Sequence, residues 1–258
     1  MKNNKNKKIL IILVSIVVLI ALWGVVALLV GSNFLLPTPW SVAGEFIALL
    51  GEGEFYFAIF STTLRALIGF GISFVLAMIF AIVAYLKPTF YTAFAPFMTV
   101  IRATPTMSLL LLAFAWFSEE SRPIFIGFLV SFPLLYEGIH NALAGVDIKL
   151  VEMAKVYDVA PKTMIKKLYL PLSRNGVLSS VKSGIALNLK VVISAEVMVN
   201  TLKSMGWYMN VAQLDLATAR LFAWTLSAIL LSFLFEGLVE LLRYLTRPKK
   251  RKCVIPCE

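Results

Sequence analysis

The stretch EMAKVYDVAPKTMIKKLYLP, residues 152–171, is a charged segment inside a chain that is otherwise strongly apolar. Its aliphatic residues recur at mostly helical spacing, and Pro161 suits the first turn of a new helix after a break. The pattern predicts a helix, a turn and a second short helix that ends before Pro171. Such an element lies along a membrane surface and presents Val156, Tyr157, Val159 and Ala160 to a groove on another protein.

A second interpretation of the same segment stays open on its chemistry alone. Lys162, Lys166 and Lys167 make it basic and amphipathic. Segments of that kind also rest on anionic lipid without contacting any protein. The loop therefore predicts a membrane-surface element whose partner is either a protein or the lipid headgroups.

The composition of the whole chain indicates an all-α integral membrane protein. Its 258 residues are 60% hydrophobic and 15% charged, and the mean hydropathy is +0.87, values far from those of soluble domains. The net charge of +10 does not indicate a nucleic-acid partner, because the basic residues gather at the two ends and in one internal loop. That distribution is typical of the cytoplasmic loops of membrane proteins.

Six apolar runs are long enough to cross a bilayer. The first, residues 9–30, spans about 33 Å as a helix and is longer than the apolar region of a signal peptide, so we expect it to be retained. The third and fourth runs contain prolines, and residues 96–105 are expected to hold a break or a separate short helix. In chain order, the other five predicted spans are 58–86, 94–117, 124–143, 177–202 and 221–245.

The distribution of Lys and Arg predicts the orientation of these spans. Both ends of the chain, 1–8 and 246–258, are basic and are expected in the cytoplasm of a prokaryote, with the transmembrane domain at 9–245 between them. The loop 144–176 carries six basic residues and is expected on the same side. Residues 31–57 contain Glu but neither Lys nor Arg, which favours the outer side.

The segment 152–171 resembles the loop motif of binding-protein-dependent ABC-importer permeases. That motif runs Glu-Ala-Ala, three residues, Gly, nine residues, Ile-x-Leu-Pro, and the spacing here is preserved. Met153 replaces the first Ala and Asp158 replaces Gly, but Asp tolerates the left-handed turn better than most residues. The resemblance implies that the ATPase-docking residues are Glu152, Ala154, Asp158, Val159, Ala160, Leu168, Leu170 and Pro171.

The resemblance covers nearly the whole chain after the first span and narrows to the sulfonate, taurine, nitrate and thiamine-precursor branch. It implies a type I importer permease of about six spans with a cytoplasmic coupling helix. It also implies two ATPase subunits, a second permease subunit, membrane lipid and an extracytoplasmic binding protein as partners. Two-fold symmetry favours an identical second copy, with a heterodimer of related permeases as the alternative. The residues that carry it include Leu36-Pro37, Thr63, Arg65, Gly69-Phe70, Arg102, Pro105, Trp116-Phe117, Leu189-Lys190, Ala195-Glu196-Val197, Met205-Gly206-Trp207-Tyr208 and Leu221-Phe222-Ala223-Trp224-Thr225.

The chain is not expected to be an enzyme or to carry a cofactor. It has no G-x-x-x-x-G-K-[ST] phosphate-binding motif, so ATP and Mg are expected on the separate ATPase. One His and a lone C-x3-C at Cys253 and Cys257 predict no catalytic or metal site. An ion-gradient-driven secondary transporter is the alternative, although we detect no repeat of the kind such transporters contain. The sequence leaves the substrate open.

Ionisable residues within the predicted spans are candidates for the transport pathway or its gate. Lys190 and Glu196 lie in the fifth span, where an uncompensated charge costs on the order of 3 kcal/mol. Arg102 lies near the proline-rich break and would favour an anionic substrate. Glu137 and His140 are spaced for a contact on one helix face, while Arg65 has the alternative of extending to the membrane surface. Trp207 and Tyr208 suit either an interfacial aromatic belt or a contact with the binding protein.

Overall fold

The computed structural model describes residues 2–245, which form eleven α-helices and one π-helical turn, without strands in this part of the chain. The basic tail 246–258, including Cys253 and Cys257, lies outside the described residues. The helices are α1 Lys2–Val30, α2 Pro39–Leu50, α3 Gly53–Leu86, α4 Pro88–Ala103, α5 Thr106–Trp116, α6 Arg122–Ala144, α7 Ile148–Val156, α8 Pro161–Met164, α9 Leu170–Val199, α10 Met205–Leu214 and α11 Thr218–Leu245, with the π-turn at Ile165–Tyr169.

Five helical segments are long and apolar enough to cross a membrane, and a sixth span arises if α4 and α5 are counted together. Each of the five overlaps a predicted span. The five segments are Leu10–Val30, Gly53–Leu86, Arg122–Ala144, Ile165–Val199 and Thr218–Leu245. The predicted and observed spans agree because a span is recognised by the length and hydropathy of an apolar run, and both can be read from the sequence.

The break expected within the predicted span 94–117 is confirmed, because α4 and α5 meet at an angle of 94°. The break falls at Thr104 and Pro105, where both residues have extended backbone conformations. Proline has no amide hydrogen and disfavours a helical conformation in the residue before it, so the helix ends there. Pro96, the other expected breaker, is accommodated inside α4.

The fifth predicted span ends earlier than expected. Asn200 adopts the left-handed conformation, with φ 59°, and closes α9 at Val199. Ser204 then caps α10 by accepting a hydrogen bond from the amide of Trp207 at 3.0 Å. Met205-Gly206-Trp207-Tyr208 therefore begins a separate helix rather than forming the end of the span.

The centre of the molecule is the packing of α6 against α3 and α9. Small residues allow this close approach. A Cβ atom at Gly69 of α3 would lie 2.8 Å from the carbonyl oxygen of Ile124 in α6, closer than any side chain permits. Below, the two ends of the bundle are called the α7 end and the α10 end, after the short helix that lies at each.

Candidate functional site

The segment 152–171 projects from the α7 end of the bundle. Helix α7 begins after Asp147, whose carboxylate accepts a hydrogen bond from the amide of Lys149 at 2.9 Å. Val151 and Met164 are buried in the main core and anchor the segment. At its tip, Val156 and Tyr157 are 82% and 76% exposed, which makes an apolar knob that no part of residues 2–245 covers.

Asp158 forms the turn that follows this knob. Its φ of 49° is left-handed, and the amide of Val159 donates to the carbonyl of Ala154 at 3.1 Å to close the turn. The sequence-based expectation that Asp158 tolerates this conformation is confirmed. The next helix, α8, begins at Pro161, also as predicted.

The expectation that a second short helix ends before Pro171 is wrong. Helix α8 continues through the π-turn into α9, so that one helical rod runs from the docking segment to Val199. In the π-turn the amide of Leu170 donates to the carbonyl of Ile165. The wider turn relieves the clash that the ring of Pro171 would make with the preceding turn of a regular helix.

The predicted docking residues fall into two groups. Ala154, Val159 and Leu168 are half-buried and pack against the core. A cavity of about 480 Å³ at this end of the bundle, not predicted from the sequence, is lined in part by Tyr85, Glu152 and Tyr169. The exposed group consists of Glu152, Asp158, Ala160, Leu170 and Pro171. Together with Val156 and Tyr157 these residues form a surface that a second protein can contact.

A polar cluster near the α10 end surrounds Glu196. The carboxylate of Glu196 accepts hydrogen bonds from Arg65 Nη1 at 3.0 Å and from Thr62 Oγ1 at 2.8 Å, and its side chain is fully buried. Thr62 Oγ1 in turn accepts the amide of Met205 at 3.0 Å. Glu196 therefore joins α3, α9 and α10, and does not line an open face as the pathway hypothesis expected.

Arg65 does not extend to the membrane surface, which was the alternative considered for it from the sequence. Its side chain is only 8% exposed. Its Nη2 donates to Glu120 in the turn between α5 and α6 at 2.6 Å, and the Glu120 side chain is 69% exposed. Glu119 of the same turn accepts the amide of Leu202 at 3.0 Å. Neither carboxylate was predicted from the sequence, where the only signal was their position in a short polar break between apolar runs.

Arg102 lies at the break between α4 and α5 and pairs with Glu137 of α6. Its Nη1 donates to one carboxylate oxygen at 2.6 Å and its Nη2 donates to the other. The pair borders a cavity of about 270 Å³. The predicted contact between Glu137 and His140 is replaced by this pair, while the His140 ring stacks on Tyr91 with centroids 4.4 Å apart.

Lys190, the third pathway candidate, is exposed on α9, and the structure shows no ion pair for it within residues 2–245. It borders a cavity of about 310 Å³ between α9 and α11. Lys182, two turns earlier in α9, pairs with Glu236 of α11 at 3.6 Å. Of the two lysines in this part of α9, Lys190 is the one without a carboxylate partner in the described chain.

Tyr208 holds α10 against the bundle rather than standing free in an aromatic belt. Its ring stacks on Trp224 with centroids 5.1 Å apart, and its hydroxyl donates to Glu54 at 2.7 Å. Burial of the hydroxyl, together with the hydrogen bond to Glu54, raises the pKa of Tyr208 to about 12. The neutral, donating form is therefore the one present at physiological pH.

Comparison with known proteins identifies this helical architecture. Residues 69–247 match the family of binding-protein-dependent transport system inner membrane components. The chain belongs to this family. Among curated relatives, a putative aliphatic sulfonates transport permease of Bacillus subtilis is 27% identical over 228 residues, covering 87% of this chain and 82% of the relative. A probable ABC transporter permease of Brucella melitensis is 27% identical and covers 71% and 75%.

Solved structures confirm the fold of this permease. The methionine ABC transporter MetNI, in inward-facing conformations, matches with a TM-score of 0.65 at 15% identity, covering 74% of this chain and 95% of the other. An amino acid ABC transporter matches with a TM-score of 0.59 at 15% identity, covering 78% and 94%. The predicted class, an all-α membrane protein of the type I ABC importer permease fold, is therefore correct.

Proposed function

We propose that this permease couples to a separate ATPase through the segment 152–171 and imports a small solute. The observation that carries the proposal is the knob of Val156 and Tyr157, which the left-handed turn at Asp158 holds away from the bundle. Two adjacent, largely apolar side chains exposed at the end of a short helix are the contact that a groove on a partner protein needs.

The segment 152–171 has a net charge of +2, which suits anionic lipid, but the two carboxylates beside the knob favour a protein at the knob itself. Glu152 and Asp158 are both exposed on the same segment. Carboxylates held against an anionic membrane surface are repelled, whereas a protein groove can pair them with basic side chains. Lys166 and Lys167, exposed in the π-turn, remain free to contact lipid headgroups beside the docked protein.

The assembly we propose contains two permease copies and two ATPase subunits. A two-fold pair is the commonest symmetric arrangement, and a pair of docking segments then requires a pair of ATPases. ATP and Mg belong to those subunits. Both chain ends and the α7 end face the cytoplasm, since the loop 144–176 is the basic one.

At the opposite, α10 end we place the contact with an extracytoplasmic binding protein, which delivers the solute. The substrate we propose is a small solute of the sulfonate, nitrate or thiamine-precursor type. Its support is the 27% identity to a relative named for aliphatic sulfonates and the sequence resemblance to that branch.

Copurification of the ATPase tests the docking role. Val156→Asp places a charge in the apolar contact, so we expect it to reduce the ATPase recovered with the permease at least about tenfold, since burying an unpaired charge costs several kcal/mol. Leu214→Asp is the matched control, because Leu214 is 74% exposed on α10 at the other end. Equal ATPase recovery with both variants would refute the docking assignment.

A further inference from the structure

The middle of the exposed face of α9 is polar, unlike the exposed face of α3. On α3, the exposed positions between Phe57 and Ile79 carry only apolar side chains, as a lipid-facing surface requires. On α9, the exposed residues between positions 173 and 197 recur at helical spacing along one side and are all polar or charged: Asn175, Ser179, Ser183, Lys190 and Ser194, whereas Leu172 and Met198, which flank them, are exposed and apolar. This stripe lies against water or protein rather than lipid.

Lys190 is too deep in this stripe to reach a membrane surface. It lies nine residues before the end of α9 at Val199, a distance of about 14 Å along the helix axis. A lysine side chain extends about 6 Å, so its ammonium group cannot extend to the headgroups. With no carboxylate partner within residues 2–245, the charge needs water, an anion or a carboxylate of the second permease copy close to it.

The cavity beside Lys190 is suited to a small anion. Its volume of about 310 Å³ is at the lower end of ligand pockets. Helix α11 supplies Thr225 and Ser232 to its wall, α9 supplies Ser194, and neither Asp nor Glu lines it. The hydroxyls of Ser194 and Thr225 donate to the backbone carbonyls of Lys190 and Leu221, so the ammonium group of Lys190 is the positive charge available to an anion in a small, largely apolar cavity.

We propose that Lys190 is a specificity-determining residue, which attracts and contacts the oxyanion group of the transported solute in the cavity between α9 and α11. The chemical class is a small organic anion that carries a sulfonate, carboxylate or phosphate. This inference rests on the proposed transport function. Arg102 is less suited to this role, because the carboxylate of Glu137 neutralises its charge, whereas Lys190 has no carboxylate partner within residues 2–245.

Thiol modification one turn away from Lys190 tests this electrostatic role without knowledge of the substrate. Cys253 and Cys257 are replaced by Ser, and Ser194→Cys places a thiol in the same cavity. The probes are the negatively charged 2-sulfonatoethyl and the positively charged 2-(trimethylammonio)ethyl methanethiosulfonates, which are similar in size. The permease complex is studied in phosphatidylcholine nanodiscs, and the ratio of the two modification rates is measured.

Adding Lys190→Gln to the Ser194→Cys variant should lower the ratio of the anionic to the cationic modification rate about tenfold. The lysine charge, about 6 Å from the thiol, attracts the anionic probe and repels the cationic one, so its removal changes the two rates in opposite directions. Lys190→Arg should keep the ratio, and so should Lys203→Gln, which removes an exposed positive charge beyond the end of α9. An unchanged ratio in Lys190→Gln, or no reaction with either probe, would overturn the proposal.

Two further arms exclude other occupants of the cavity. If an anionic lipid headgroup fills it, replacing phosphatidylcholine by phosphatidylglycerol will reduce the anionic rate at Ser194→Cys, and that result would also overturn the proposal. Should Lys190→Gln fail to fold, the ratio at Ser194→Cys is compared with that at Leu214→Cys, and it must be the higher. ATPase recovery from the same preparation shows separately whether the proposed function holds.

Discussion

Arg65 and Glu196, which are 131 positions apart in the chain, form a buried ion pair that joins α3 to the end of α9. Glu196 Oε1 accepts from Arg65 Nη1 at 3.0 Å, and Oε2 accepts from Thr62 at 2.8 Å. Because α9 continues through the π-turn from the docking segment, this pair fixes one end of a helical rod whose other end is the proposed ATPase contact.

Removing the Glu196 carboxylate should destabilise the fold. Glu196→Ala leaves Arg65 and Thr62 without a buried partner, which costs on the order of 3–5 kcal/mol and should lower the yield of folded, monodisperse permease. Glu120→Gln is the control, since the exposed Glu120 contact contributes at most about 1 kcal/mol. Thermal unfolding in detergent compares the two; equal midpoints would contradict a structural role for Glu196.

Reversing the charge at Glu152 should uncouple ATP hydrolysis from transport. Glu152 is exposed at the docking surface, so Glu152→Lys should insert and fold normally while reducing the ATPase activity stimulated by binding protein several-fold. Asp215→Lys makes the same charge change at an exposed position at the α10 end. If both variants retain full stimulation in proteoliposomes, Glu152 does not contribute to coupling.

Asp158 should accept Gly but not Val. Its left-handed backbone, with φ 49°, suits Asp158→Gly, whereas a β-branched residue there adds about 1–2 kcal/mol of strain. We expect Asp158→Val to weaken ATPase binding about tenfold, since the strain tilts the knob of Val156 and Tyr157. Titration of the purified ATPase onto immobilised permease measures this. Similar affinities for the Gly and Val variants would show that the turn does not position the knob.

Tyr208 should stabilise the permease up to about pH 10 and lose its contribution above that. Its pKa is raised to about 12 in the folded protein, so above pH 10 the unfolded chain loses its proton more readily and stability falls. Tyr208→Phe removes the hydrogen bond to Glu54 and should cost about 1 kcal/mol between pH 6 and 9. Unfolding midpoints at pH 7 and pH 11 test this, and a constant difference between wild type and variant would contradict it.

Labelling should place the two ends of the bundle on opposite sides of the membrane. In a background without Cys253 and Cys257, a thiol at Lys166 should be protected from impermeant reagents added to intact cells, because the loop 144–176 is basic. A thiol at Leu214 should react, since this residue is 74% exposed at the other end. Permeabilised cells provide the control, in which both positions should react. Labelling of Lys166→Cys in intact cells would reverse the proposed orientation.

The sequence by itself determined the spans and the turn at Asp158. Apolar runs of sufficient length must form helices in a bilayer, since every backbone amide needs an internal partner there. The identity of a single residue likewise limits which backbone conformations are accessible, as at Asp158, whose left-handed conformation was expected. These are local properties, and the spacing of the docking motif was equally readable because it lies within twenty consecutive positions.

Tertiary structure alone decided which charges meet. Arg65 and Glu137 were expected at a membrane surface and beside His140, but they pair with Glu196 and Arg102 respectively, across 131 and 35 positions. The 94° break between α4 and α5 and the packing of α9 against α3 bring these groups together. A buried charged group pairs with the opposite charge that the helix packing places within about 3 Å of it. The spacing of residues along one helix contains no information about that distance.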